Sequence, residues 1–363
     1  MPIEFEDEDY SPIEPQALVG TPVTSAVALG TSSGTKLDIK PNSASAVPEV
    51  TLTVPLAMAG LRFDQGLAEL FPDYSRSRLA GMVKEGSILL DGLSTQPKTK
   101  LLGGEIIYAT LTPREEELAF KPEVLPIEAI FEDDSIIVIN KPAGLVVHPG
   151  AGNWSGTLLN GLLARNPQVA NLARAGIVHR LDKDTSGVMV AAKTEGAQFS
   201  LVRQLQARTM KRIYNALVRG YVKDSGKVDA PIDRHPRERT KMAVIGDVRR
   251  GESNAGKSAV THYRPMERYE FHSLLECSLE TGRTHQIRVH LQSIGFPLEG
   301  DPVYGPTMTK IDAHVRDTFN AFGRQALHAR RLTLEHPVTA ESMTFEAPLP
   351  EDMLALIEFV RGL

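Results

Sequence analysis

The chain has 363 residues, 42% hydrophobic and 23% charged, enough for two domains and a tail and ordinary for a soluble globular protein. No apolar run approaches the ~18 residues that span a bilayer, no basic segment leading into an apolar core opens the chain, and the single cysteine, Cys277, excludes an internal disulfide and a cysteine-based zinc site. The net charge of −5 is unevenly placed: residues 1–14 carry six acidic side chains and no basic one, leaving +1 for the remainder, while residues 174–219 hold nine Lys/Arg against three Asp/Glu and 234–257 hold seven against three. Local basic surface, rather than whole-chain charge, is what meets a polyanion. On charge alone, two solvated helix faces explain the pattern equally well. A cytoplasmic protein with no membrane partner is the expectation.

Residues 1–50 read as a disordered acidic tail, with a Ser/Thr/Ala/Pro/Gly stretch and no persistent period. Residues 51–112 read as a small α+β domain. After strand-like Val50–Pro55, Phe63, Leu67, Leu70 and Phe71 fall at helical spacing, Ser75 is placed to cap a second helix over 76–84, and Gly86 to stop it. Strands follow at 87–92 and 103–108. Arg76, Arg78 and Lys84 are read as one exposed helix face that meets phosphates, with Leu79 and Val83 packed inward. This pattern resembles the alpha-L module, a small RNA-binding unit first known from a ribosomal protein.

Residues 113–125 read as a linker, and 126–363 as the large domain. Strand-like runs at 127–131, 136–140, 145–148, 188–192, 213–219, 272–279 and 343–347 alternate with helical ones at 158–163, 196–208 and 286–294. The fold class expected is α+β with a mixed or antiparallel sheet.

Two polar segments interrupt this framework. His179-Arg180-Leu181-Asp182-Lys183-Asp184-Thr185-Ser186-Gly187 lies between apolar runs, a loop on a rigid scaffold. Asp182, beside Arg180 and Lys183, stays ionised and available as a nucleophile, while Asp184 is read as capping the turn. Thr281-Gly282-Arg283-Thr284-His285-Gln286-Ile287-Arg288-Val289-His290 opens a helix with Thr284 as N-cap and Ile287, Leu291 and Ile294 on its apolar face. Arg283, at the start of that helix, is placed to pair with Asp182 or a phosphate.

The first segment is similar to the signature of the RluA-type pseudouridine synthases. So are Asn140–Pro149, Lys211–Gly220 and Thr281–His290, in the same order, and His235–Val244 is similar to the RluD-like branch acting on large-subunit (23S) rRNA. The resemblance spans roughly residues 50–350. It implies a pseudouridine synthase domain and isomerisation of uridine to pseudouridine without cofactor or metal. It makes Asp182 the catalytic carboxylate, by addition at C6 of uracil or by action at C1′ of the ribose. It pairs Arg283 with Asp182, lays Tyr214 against the base with a possible part in removing the C5 proton, and puts Ile287 in the wall under the uracil. Arg180 would fill the space left by a flipped-out uridine. Arg237, Arg239 and Lys241 are expected at phosphates. The partner implied is large-subunit rRNA or an assembling subunit, met by a monomer. A tRNA-directed synthase and a non-catalytic assembly factor are the alternatives.

Overall fold

The computed structural model describes residues 38–39, 49–111, 119–150, 152–238, 240–246, 256–306 and 312–363. The sequence-predicted tail and the first half of the predicted linker lie almost entirely outside these residues, as does Arg239. The chain divides into two compact units, one ending at Leu118 and the other running from Ala119 to Leu363.

The smaller unit contains β1 (Asp38–Ile39), β2 (Glu49–Thr53), α1 (Phe63–Leu70), α2 (Arg76–Glu85), β3 (Ile88–Leu90) and β4 (Ile106–Thr110). Its strands pair antiparallel in the order β1-β2-β4-β3. Phe63 and Leu67 of α1, Leu79 and Val83 of α2, and Ile88 and Ile107 of the sheet form its buried core. Ser75 caps α2 by accepting from the Arg78 amide at 3.4 Å, and Gly86 ends it in the left-handed conformation at φ 79°. The three basic residues do not form one face. Successive helical positions turn by about 100°, so Arg78 stands roughly 200° round from Arg76. Arg76 instead donates twice to the buried Asp64, at 3.0 and 2.9 Å, and ties α2 to α1.

The larger unit begins with β5 (Ala129–Glu132), β6 (Ile136–Lys141), α3 (Leu158–Arg165), β7 (Ser186–Ala192) and α4 (Glu195–Gln206). It continues with β8 (Lys211–Arg219), β9 (Gly226–Asp229), β10 (Ile232–Arg234), β11 (Met242–Val244), β12 (Val260–Arg268), β13 (His272–Leu279) and α5 (Gln286–Ser293). It closes with α6 (Ala313–Phe322), β14 (Leu327–Glu335), β15 (Ser342–Glu346) and α7 (Glu351–Arg361). Nine strands form one sheet, running β5-β6-β7-β14-β8-β13-β12-β9 with β15 on β14, and β10 and β11 make a separate hairpin. The fold is α+β with a mixed sheet. β7 against β14 is its parallel pair, and every other pairing is antiparallel.

Expected strand 145–148 is not a strand. Its carbonyls serve the start of α3 instead: the Leu158 amide donates to Val146 and the Leu159 amide to Val147, satisfying donors that a helix leaves open at its first turn.

The parallel pair is a narrow seam, two residues long, matching Ser186 with His328 and Gly187 with Ala329. Ser186 Oγ lies 2.9 Å from His328 Nδ1 across it. Gly187 takes φ +115°, and a Cβ there would lie 2.1 Å from the Ala329 carbonyl oxygen, so only glycine admits the approach. Gly187→Ala is expected to destabilise the protein by about 3 kcal/mol. Gly196→Ala, in open space on α4, should be neutral or slightly stabilising. Urea unfolding of both variants checks the contrast.

Candidate active site

The loop carrying Asp182 is tied down at three points. Leu181, 4% exposed, is embedded in the main core. His179 Nε2 accepts from the Val190 amide of β7 at 3.1 Å. Burial, helped by the nearby Arg212 charge, drives the His179 pKa down to about 3, so this imidazole is a neutral anchor and no acid. The third tie is Lys141, at the end of β6 and completely buried, whose Nζ donates to the carbonyls of Pro142, Leu145 and Lys183 at 2.9, 2.9 and 2.8 Å. Three acceptors match the three protons of an ammonium. Burial lowers its pKa to about 7, with Asp182 and Asp184 pulling the other way. The turn itself closes through the Thr185 amide donating to the Asp182 carbonyl at 3.1 Å; Asp184 makes no side-chain cap.

Asp182 opens onto a small cavity continuous with solvent. Its walls include four arginines (Arg180, Arg212, Arg283 and Arg288) and one carboxylate, Asp182, beside Tyr214, Ile287 and His285. Tyr214 comes from β8, between Cys277 of β13 and Ala329 of β14, and is 5% exposed. Burial raises its pKa, so at neutral pH it is a protonated phenol. Ile287, on the first turn of α5, is 4% exposed and shares the core with Tyr214. Arg180 lines the cavity and its charge reaches Asp182.

The arginine paired with Asp182 is Arg288, whose Nη1 donates to Oδ2 at 3.0 Å. Arg283 lines the same cavity, but its Nε donates to the Ser258 carbonyl at 3.0 Å. The reason is local: Arg283 stands in the part-exposed turn before α5, whereas Arg288 projects from the helix into the interior. Arg288 is held there by Asp301, which takes its Nε at 2.7 Å and Nη2 at 2.9 Å, and by the Tyr304 ring, 5.0 Å from Cζ. Asp301 in turn accepts from the amides of Val303 and Tyr304. Burial by itself raises the Asp182 pKa; His285, Arg288 and Arg180 outweigh it and hold the carboxyl below its usual range.

The N-cap of α5 is His285, in the left-handed conformation at φ 56°, rather than Thr284. The amide of Arg283 is met by the Gln286 side chain at 2.9 Å. His285 Nε2 is 4.0 Å from Asp182 Oδ1, and Nδ1 is 2.9 Å from the Tyr304 hydroxyl. That hydroxyl also accepts the Met242 amide of β11 at 2.7 Å. The ring thus bridges the Tyr304 hydroxyl and the Asp182 carboxylate. Burial lowers the His285 pKa, against the pull of the Asp182 charge.

The remaining sequence-predicted contacts lie elsewhere. Arg237 is exposed in the segment joining β10 to β11, and Lys241 beside it pairs with Glu238 at 2.6 Å. Lys141, Asp301, Tyr304 and His285 had no assigned role in the sequence reading. Lys141 and His285 fall inside its motif blocks, but Asp301 and Tyr304 do not.

A carboxylate held ionised among arginines, beside a phenol and an apolar wall, is a site suited to chemistry on an anionic substrate. The family model described as RNA pseudouridylate synthase matches residues 135–293, which span both the Asp182 loop and α5. The chain is 54% identical over 313 residues to ribosomal large subunit pseudouridine synthase D of Neisseria meningitidis serogroup B, covering 86% of this chain and 82% of that one. It is 51% identical over 335 residues to the protein of the same name from Nitrosomonas europaea, covering 91% and 94%. Among solved structures, human RNA pseudouridylate synthase domain containing 4 matches with a TM-score of 0.51 at 25% identity, covering 64% of this chain and 93% of that one. The chain belongs to the RNA pseudouridylate synthase family, and it is an RNA pseudouridine synthase, an isomerase.

Two outcomes test the geometry. In Arg288→Met the burial of Asp182 remains while its cation is gone, so the carboxyl pKa rises. The acid limb of the pH–rate profile should move toward neutrality, and kcat should fall by about a hundred-fold or more. In Tyr304→Phe the hydrogen bond that orients the His285 ring is lost. A roughly ten-fold fall in single-turnover rate with little change in RNA affinity is expected, alongside a changed ¹⁵N shift of the His285 ring nitrogens by NMR.

Proposed function

We propose that this chain isomerises uridine to pseudouridine in large-subunit rRNA, with Asp182 as the reacting carboxylate, acting as a monomer in the cytoplasm. The observation that carries the reading is the Asp182–Arg288 pair at 3.0 Å inside a cavity walled by Tyr214 and Ile287. The substrate class follows the relatives, which are named for the large ribosomal subunit.

The reaction breaks N1–C1′, joins C5 to C1′, removes a proton from C5 and returns one to N1. Nothing is oxidised or reduced. Addition of the carboxylate at C6 and its action at C1′ both need Asp182 ionised, which the surrounding cations favour. The uridine must leave its stack at a cost of a few kcal/mol. Arg180, at the mouth of the same loop, is the side chain assigned to the vacated space, because a planar guanidinium both stacks on bases and pairs with phosphate. Tyr214 and Ile287 supply the flat and apolar surfaces that receive the ring. Arg78, Lys84, Arg237 and Lys241 are assigned to phosphates outside the cavity, and Arg76, bound to Asp64, to the small unit's own packing.

Asp182→Asn keeps the size of the side chain and removes its charge. Turnover should fall roughly a thousand-fold or more while RNA binding persists. The decisive measurement is pseudouridine mapping of rRNA and tRNA from cells lacking the protein, complemented with wild type or Asp182→Asn. Sites in large-subunit rRNA should vanish and return only with wild type; a change confined to tRNA would reassign the substrate.

A further inference from the structure

Among the described residues the cavity arginine Arg212 meets no acceptor for its charge. It lies on β8 two residues before Tyr214, and alternation along a strand puts both on the same face. It is 8% exposed, its Nε is buried without a hydrogen-bond partner, and among the described residues its guanidinium has no ion-pair partner. A buried cation without a counter-charge is costly, and folded proteins rarely keep one without use. Its position is also accommodated: a Cβ on Gly282 would lie 2.7 Å from Arg212 Nη1, so the glycine at the start of the 282–285 turn leaves the space the guanidinium occupies. Asp182 does not fill the role, since it is bonded to Arg288.

We propose that Arg212 forms a phosphate subsite within the cavity, completed by the phosphodiester attached to the uridine that enters it. The inference rests on the proposed RNA substrate. A neutral uracil carbonyl would satisfy a hydrogen bond but would leave the charge uncompensated. A phosphate satisfies both and accepts a planar guanidinium through two parallel bonds. The cavity that holds Asp182 and Tyr214 admits the reacting nucleotide, so the phosphate reaching Arg212 is one flanking that nucleotide. Arg212 is thereby a substrate-binding residue, distinct from the Asp182–Arg288–Asp301 group.

The test compares wild type, Arg212→Gln, Arg212→Lys and Gly282→Ala on an unmodified large-subunit rRNA transcript, measuring Kd across a salt series, single-turnover rate at saturating protein, and thermal unfolding. Arg212→Gln should raise Kd roughly ten- to a hundred-fold and reduce the slope of log Kd against log salt by about 0.7. The saturated rate should stay within a few-fold of wild type, and the melting temperature should hold or rise as an unpaired buried charge is removed. Arg212→Lys should restore the slope, and Gly282→Ala, by displacing the guanidinium, should weaken binding in the same direction. An unchanged slope overturns the proposal: with a slower saturated rate it assigns Arg212 to the uracil, and with a lower melting temperature to the fold. Wild type failing to convert any uridine in the transcript defeats the RNA reading itself, and this inference with it. Conversion by wild type with an unaltered slope in Arg212→Gln defeats this inference alone.

Discussion

Arg288 is shared between two carboxylates, and the site is organised around that sharing. Asp301 takes two of its nitrogens and balances its charge in a fully buried pair, leaving the third nitrogen to Asp182. Had Asp182 alone held the guanidinium, the pair would be closer to neutral and the carboxylate less reactive. With Asp301 present the trio carries one net negative charge, and Asp182, 16% exposed, is the member turned toward the cavity. Arg288 thus orients the reacting oxygen without cancelling it. Removing one partner from such a buried group costs about 3–5 kcal/mol, so the geometry is enforced by stability as well as by function.

The supporting contacts come from separate parts of the chain. Lys141 at the end of β6 binds the Asp182 loop from behind through main-chain carbonyls, so its hold does not depend on the side chains of that loop. Tyr304 carries a second line of support, from the amide of Met242 through its hydroxyl to His285. That amide belongs to β11, the strand that follows the basic segment 235–241, so the hairpin bearing those charges is linked through the Tyr304 hydroxyl to the ring that faces Asp182.

Much of this was legible in the sequence, and the misreadings have physical causes. Ser75 and Gly86 announced the ends of α2 because capping chemistry is local. Asp182, Tyr214 and Ile287 meet in one cavity, as their motif blocks implied. The choice of Arg283 over Arg288 rested on proximity to a helix start, where anions gather, but the pairing is decided by which side chain points inward. Arg288 flanks the apolar stripe of Ile287 and Leu291, and a charge at that edge is buried only if another segment supplies a counter-charge. Asp301 supplies it from 13 residues downstream, and no local pattern signals that. The run 145–148 has strand-like composition, yet its carbonyls are drawn to the open amides of α3. Arg76 looked free because its partner, Asp64, is in the preceding helix.

The short parallel seam between β7 and β14 divides the large unit into two sequence-continuous halves. The Asp182 loop leads into β7 on one side, while Tyr214, Arg288 and Asp301 all follow in the chain and belong to the other. Neither half contains a reacting centre by itself. Catalytic competence is therefore a by-product of completed assembly: a nascent or half-unfolded chain can display basic surface to RNA but cannot modify it, and recovery of turnover during refolding would time the closing of the seam rather than the formation of either half.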